Sequence, residues 1–138
     1  MEDAKKRLQI LLGDTLQVLE HMIVVDSEYN EMLRYIKDGL NEHKRKTAEI
    51  SLEELMNEAN TIIKKLNDIN SKVQKLESNL LEDYKKTTDN DIEGYEDLSI
   101  DEQRKQTETY HDKIDYLSAV KVKENINEII EILVKLKS

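Results

Sequence analysis

The amino-acid sequence predicts an all-α protein, an elongated three-helix bundle or antiparallel coiled coil of long helices. The 138 residues include no Pro and only 3 Gly, and 37% of them are charged. Because Pro and Gly punctuate the turns of sheet-rich folds, their scarcity indicates few connections. Leu and Ile also recur at the spacing of a coiled-coil seam. The chain length fits a single helical unit over residues 1–138.

The first segment is predicted to form one helix over about residues 3–38, or to residue 47. With Leu8 at a heptad a position, mostly apolar residues occupy the a, d and e positions. A stripe of this width is typical of a helix that contacts two neighbours. Gly39 followed by Leu40 resembles a helix stop, and a helix that continues through His43 is the alternative.

The second segment predicts a helix over about residues 51–86. Ser51 and Glu54 have the spacing of a capping box, which satisfies two backbone donors at a helix start. The strictest a/d pattern of the chain follows, from Leu52 to Leu80. No polar residue occupies an a or d position there, so the sequence leaves the helix register to flanking charges or to another chain.

The third segment predicts a helix over about residues 100–137, again opened by a capping box, Ser99 and Glu102. Tyr110, Ile114 and Leu117 share one face in its first half. The apolar pattern then shifts phase near residues 119–122. A shift of this kind rotates the seam around the helix, so we expect the two halves to face different neighbours.

An acidic loop is predicted over residues 87–100, between the second and third helices. Residues 89–101 contain six acidic and no basic side chains, against a net charge of −9 for the chain. The loop is expected to be solvated and extended, or to dock a basic partner. A resemblance to a calcium loop fails, because Ile100 stands where a bidentate Glu is needed. The candidate docking residues are Asp89, Asp91, Glu93, Glu96 and Asp97.

No catalytic, cofactor or metal site is expected, and the chain is predicted not to be an enzyme. It has no Cys, no hydrolase or metalloprotease motif and no Gly-rich phosphate loop. His111 and Asp115 stand four residues apart on one predicted helix face, but two ligands do not close a metal site. The basic run His43–Lys46 is expected to be the solvated last turn of a helix.

Charge and hydropathy predict the cellular location of the chain and whether it binds nucleic acid or a membrane. Net negative charge without a basic face disfavours direct nucleic-acid binding. The longest apolar run, Met22–Val25, is far shorter than the roughly 18 residues of a membrane span. No secretory signal pattern is present. We therefore expect a cytoplasmic or nuclear protein that does not engage a membrane.

The favoured hypothesis is a structural or adaptor subunit of a multiprotein assembly, joined to protein partners by coiled-coil contacts, as a hetero-oligomer in preference to a homodimer. One alternative is a self-contained homodimeric coiled coil. Another is an acidic inhibitor that blocks a basic, nucleic-acid-binding protein. The residues predicted to contact a partner are Leu66, Ile69, Val73, Leu76, Leu80, Ile126, Ile129, Ile130, Leu133 and Leu136.

Overall fold

A computed structural model describes residues 2–87 and 99–138, without the side chains of residues 87, 106, 108 and 109. The described residues form no strand, and the predicted all-α helical bundle is confirmed. The five candidate docking residues of the acidic loop (Asp89, Asp91, Glu93, Glu96 and Asp97) lie outside the described residues. The helices are α1 (Glu2–His21), α2 (Ser27–Glu49), α3 (Leu52–Thr87) and α4 (Ile100–Lys137).

The helices form an up-down-up-down four-helix bundle, in which α1 and α3 each neighbour α2 and α4. Cross-helix pairs show the directions. Between α1 and α2, Glu20 pairs with Lys37 while Lys44 contacts Gly13. Between α3 and α4, Glu77 pairs with Lys123 while Lys137 contacts Asn60. In each helix pair, moving forward along the first helix means moving backward along the second, so the two helices are antiparallel.

The first segment forms two helices instead of the predicted single one. A connector of residues 22–26 separates α1 from α2 and contains the β-branched run Ile23–Val25, whose side chains lose rotamer freedom in a helix. Asp26 then caps α2, since its carboxylate accepts a hydrogen bond from the Glu28 N–H at 2.8 Å. The prediction of one helix over residues 3–38 was therefore wrong in its continuity, although the apolar stripe on both halves faces the core.

The predicted helix stop at Gly39 is absent, and α2 continues to Glu49. A Cβ built on Gly39 would lie 2.8 Å from Cδ1 of Ile69 in α3. The glycine therefore allows close approach of two helices. His43, one turn further along α2, is buried with 2% of its surface exposed. It is thus a core residue and not part of a solvated last turn.

The second and third predicted helices correspond closely to α3 and α4. Both predicted capping serines act as expected on the backbone: Ser51 Oγ accepts from the Glu54 N–H and Ser99 Oγ from the Glu102 N–H. At ~1.5 Å per residue, the 36 residues of α3 span about 54 Å. This length exceeds that of α1 or α2, and α2 covers only part of α3.

Polar pairs beside the apolar seam fix the register of α4. Nδ2 of Asn70 donates to Oδ1 of Asn127 at 2.8 Å, and Glu77 pairs with Lys123 at 2.7 Å. Asn70 is buried although it stands next to the d position rather than on it. The flanking positions of α3 therefore supply the register within one chain.

The four-helix body ends in a step at the connector. Ile23 meets Asp115 of α4, so residues 100–114 of α4 extend past the end of α1. Within the described residues only α3 and α4 continue beyond this point. The Tyr84 and Tyr116 rings stack across them, with centroids 6.3 Å apart. At the step the core is no longer covered by α1 and α2.

Candidate interaction site at the step

The phase shift predicted in α4 divides its core-facing side into an apolar half and a polar half. In the C-terminal half the buried apolar residues are Ala119, Val122, Ile126, Ile129, Leu133 and Leu136, and Asn125 is buried beside them. Continued by one turn toward the N-terminus, the same side carries Asp115 and then His111. The step is therefore lined by ionisable groups where the rest of the seam has aliphatic ones.

Asp115 is the most deeply buried of these groups, with 1% of its surface exposed. Its Oδ1 accepts a hydrogen bond from the backbone N–H of Ile23 at 2.6 Å. That N–H lies in the connector, outside both α1 and α2, so the Asp115 carboxylate gives a partner to a backbone donor that no helix pairs. Burial raises the pKa of Asp115 to about 6, and the hydrogen bond from Ile23 acts in the opposite direction.

A cavity of about 480 Å³ lies at the step, which we call the step cavity. Its apolar walls come from the connector and from two helices, through Ile23, Val24, Tyr29 and Leu80. Its polar lining is mostly carboxylate. The polar side chains are Asp26, Asp83, His111, Asp112 and Asp115. Apolar walls with a few convergent polar groups are typical of ligand-binding pockets.

His111 adds a buried polar atom to this cavity. Its Nδ1 is shielded from solvent and has no hydrogen-bond partner among the described residues. The imidazole ring lies edge-on to Tyr110, with centroids 6.1 Å apart. A buried polar atom without a partner costs free energy, of order 1–3 kcal/mol. A donor entering the cavity would recover that cost.

On the opposite side of the same half of α4, large apolar side chains face outward. Leu117 stands two residues from Asp115, about 200° around an α-helix, and Tyr110 and Ile114 share its face. Leu117 is 52% exposed and Tyr110 is 63% exposed, whereas Ile114 is half-buried. We call Tyr110, Ile114 and Leu117 the α4 stripe.

The residues predicted to contact a partner instead hold the bundle together. Nine of the ten are buried between α3 and α4 or their neighbours, and Ile130 packs against the core. The bundle buries these side chains in its own seam, so they are not accessible on its surface. The nine are Leu66, Ile69, Val73, Leu76, Leu80, Ile126, Ile129, Leu133 and Leu136.

Sequence reasoning missed the connector as part of a site. Val25 is 94% exposed and Ile23 is 51% exposed. The available signal was the β-branched run directly before Asp26, an N-cap residue type. No pattern in the sequence indicated that Asp115 lies opposite Ile23, because the two residues are 92 positions apart.

Within residues 2–87 and 99–138, no group of three or more His, Asp or Glu side chains is placed to hold a metal ion. No helix in this part of the chain is both long and apolar enough to cross a membrane. Comparison with protein-family models, with curated proteins and with solved structures found no match to this chain.

Proposed function

We propose that this chain is a non-enzymatic structural or adaptor subunit that binds an amphipathic helix of a partner protein along the α4 stripe. The exposure of Tyr110 and Leu117 on one helix face supports this proposal. With Ile114 they have the i, i+4, i+7 spacing by which one helix seats the side chains of another. Elsewhere α4 buries most of its apolar side chains inside the bundle, with Ile100 and Val134 as exposed exceptions that stand apart from the stripe.

Charge around the stripe defines the partner. Lys113 and Lys121 are exposed on either side of Leu117. A partner helix with acidic residues beside its apolar seam complements these lysines. A second copy of this chain would bring the same two lysines to the interface, and like charges there oppose pairing. Repulsion between the lysines of two identical copies therefore favours a hetero-complex over a homodimer.

The experiment compares capture of proteins from an extract of the source cells by three purified forms of the chain. Tyr110→Ser with Leu117→Ser removes the stripe. Ile10→Ser with Val134→Ser removes two apolar residues of similar exposure, 60% and 51%, from other surfaces. The proposal predicts a protein retained by the unaltered chain and by the control pair but lost with the stripe pair. Equal retention by all three forms contradicts it.

A charge variant tests the predicted partner chemistry. Lys113→Glu with Lys121→Glu keeps the stripe but reverses its flanks, so an acidic partner helix should dissociate faster and bind more weakly. Binding unaffected by this change would mean that the partner is not acidic. The inhibitor hypothesis concerns residues outside the described part of the chain and stays a prediction.

A further inference from the structure

We propose that the step cavity binds a primary alkylammonium group, with the charged nitrogen at Asp115 and His111 and the alkyl chain against the apolar walls. This ligand site shares no residue with the α4 stripe: Asp115 lies about 200° around α4 from Leu117, and the two sites adjoin where the His111 ring lies edge-on to Tyr110. It rests on three observations: the shape of the cavity, the charge of its lining and the unpartnered nitrogen of His111.

The cavity has the size and walls for a short alkyl chain. Its volume of about 480 Å³ falls within the usual range of small-ligand sites, roughly 300–1,000 Å³. Leu80 from α3, Tyr29 from α2 and Ile23 from the connector contribute apolar surface. Each methylene removed from water against such walls tightens binding by about fourfold. A hydrated inorganic cation would gain nothing from these walls.

Apart from His111, the ionisable side chains that line the cavity are acidic. Asp83, Asp112 and Asp115 contribute carboxylates, and no Lys or Arg lines the cavity. The Asp115 carboxylate, with 1% of its surface exposed, is poorly hydrated. A cation beside it is therefore strongly attracted, because Coulomb interactions are stronger at low dielectric. The lining therefore selects for positive over neutral or negative ligands.

The hydrogen-bonding groups match an ammonium group in number and kind. An alkylammonium has three N–H donors and no acceptor. Asp115 offers a carboxylate oxygen beyond the one that accepts from Ile23, and the unpartnered Nδ1 of His111 accepts a hydrogen bond when that nitrogen carries no proton. Asp112 lies within electrostatic reach of Asp115. A quaternary ammonium has no donor and would leave the nitrogen of His111 unpaired.

The test is a titration of the full chain with n-butylammonium chloride at about pH 7.5, above the pKa of Asp115, followed by amide NMR. The proposal predicts saturable shifts centred on Ile23, His111 and Asp115. Asp115→Asn should weaken binding by at least about tenfold, the loss expected for one buried charge partner. Asp101→Asn, an exposed change elsewhere on α4, should leave the affinity unchanged.

Further arms separate charge from size and identify the source of the amine. Butan-1-ol, which has the same chain without the charge, should bind at least about tenfold more weakly. A peptide with one lysine between blocked alanines, if it binds like butylammonium, identifies a lysine side chain of a partner as the ligand. Binding of butylammonium alone identifies a free alkylamine. Both results support the alkylammonium site.

Three outcomes would overturn the proposal: no saturable shift at the step, equal binding of butan-1-ol, or unchanged affinity in Asp115→Asn. Circular dichroism of each variant checks that the helices are retained. His111→Ala serves as a second variant, because it removes the unpaired acceptor and should also weaken butylammonium binding. Unchanged affinity in a folded His111→Ala chain counts against the proposed geometry even if Asp115→Asn unfolds.

Discussion

The carboxylate of Asp115 accepts a hydrogen bond from the backbone N–H of Ile23 at 2.6 Å, across 92 positions of sequence. The bond ties the α1–α2 connector to α4 and gives a partner to a connector N–H that lies outside both helices. Asp115 is buried where it makes this hydrogen bond, so its carboxylate is removed from water. Asp115 therefore stabilises the connector and, when ionised, carries a desolvation cost.

Replacing Asp115 by Asn should stabilise the protein at neutral pH. The Asn carbonyl can still accept from Ile23, and the buried charge is gone. The gain is at most about 3 kcal/mol, from ~1.36 kcal/mol per pKa unit between the ordinary value of 3.8 and about 6. Urea denaturation of both forms at neutral pH measures it. A less stable Asp115→Asn chain at pH 7 would contradict the assigned cost.

The pH dependence of this gain has a definite sign. The folded-state pKa of Asp115 is raised, so the folded chain holds its proton longer than the unfolded chain. The contribution of Asp115 to stability is therefore greatest below pH ~4, falls as pH rises to about 6 and is constant above that. The other ionisable groups that line the same cavity are Asp26, Tyr29, Asp83, His111 and Asp112. The advantage of the Asn variant should vanish toward pH 4.

His43 should give a pH dependence of opposite sign. Burial, and next the charge of Lys65, lowers the pKa of His43 below 6.5, so the folded state keeps the imidazole neutral. As pH falls below about 6.5 the unfolded chain takes up a proton first, and stability declines. His43→Gln should remove this decline, whereas His21→Gln on the exposed end of α1 should not. Equal slopes of stability against pH for both variants would refute the assignment.

Gly13 and Gly39, the glycines of the described helices, should respond differently to alanine. A Cβ on Gly13 would meet only Lys44, at 3.6 Å, so Gly13→Ala should raise the free energy of unfolding by about 0.5–1 kcal/mol. On Gly39 the Cβ would lie 2.8 Å from Cδ1 of Ile69. The overpacking should cancel or reverse the helix-propensity gain there. Chemical denaturation of both variants measures the difference, and an equal gain at both sites contradicts close packing at Gly39.

Asn70 is predicted to specify register more than stability. Its Nδ2 pairs with Asn127, but its Oδ1 is buried without a partner among the described residues. Asn70→Leu should therefore be neutral or stabilising by up to about 1 kcal/mol, while it loosens the alignment of α3 with α4. Exposed Asn67→Leu is the matched control. Doubled amide resonances in the Asn70 variant alone would show the lost register, and a strong destabilisation would argue against it.

The spacing of apolar residues predicted most of the fold, because it marks the core-facing sides of α3 and α4. The a/d run from Leu55 to Leu80 lies in the core, Leu52 before it is partly buried, and both predicted capping serines begin helices. The break after His21 was not predicted, because the heptad pattern runs through Met22 without Pro or Gly. Local β-branching, the Asp26 cap and a distant contact from Asp115 together outweigh that pattern.

The candidate site could be predicted only in part. The phase shift near Ala119 was visible in the sequence, and so was the shared face of His111 and Asp115. Which side of α4 would turn inward was not visible, because that choice depends on the packing of the C-terminal half against α1 and α3. The step cavity depends in addition on where α1 ends, so no local pattern could have indicated it.

The central claim is that one chain closes its own seam and leaves the α4 stripe for a different protein. Light scattering with thermal unfolding, over a wide range of protein concentration, tests it most directly. The account predicts a monomer whose melting temperature does not change with concentration. A dimer whose melting temperature rises with concentration, and which Tyr110→Ser with Leu117→Ser converts to monomer, would contradict it.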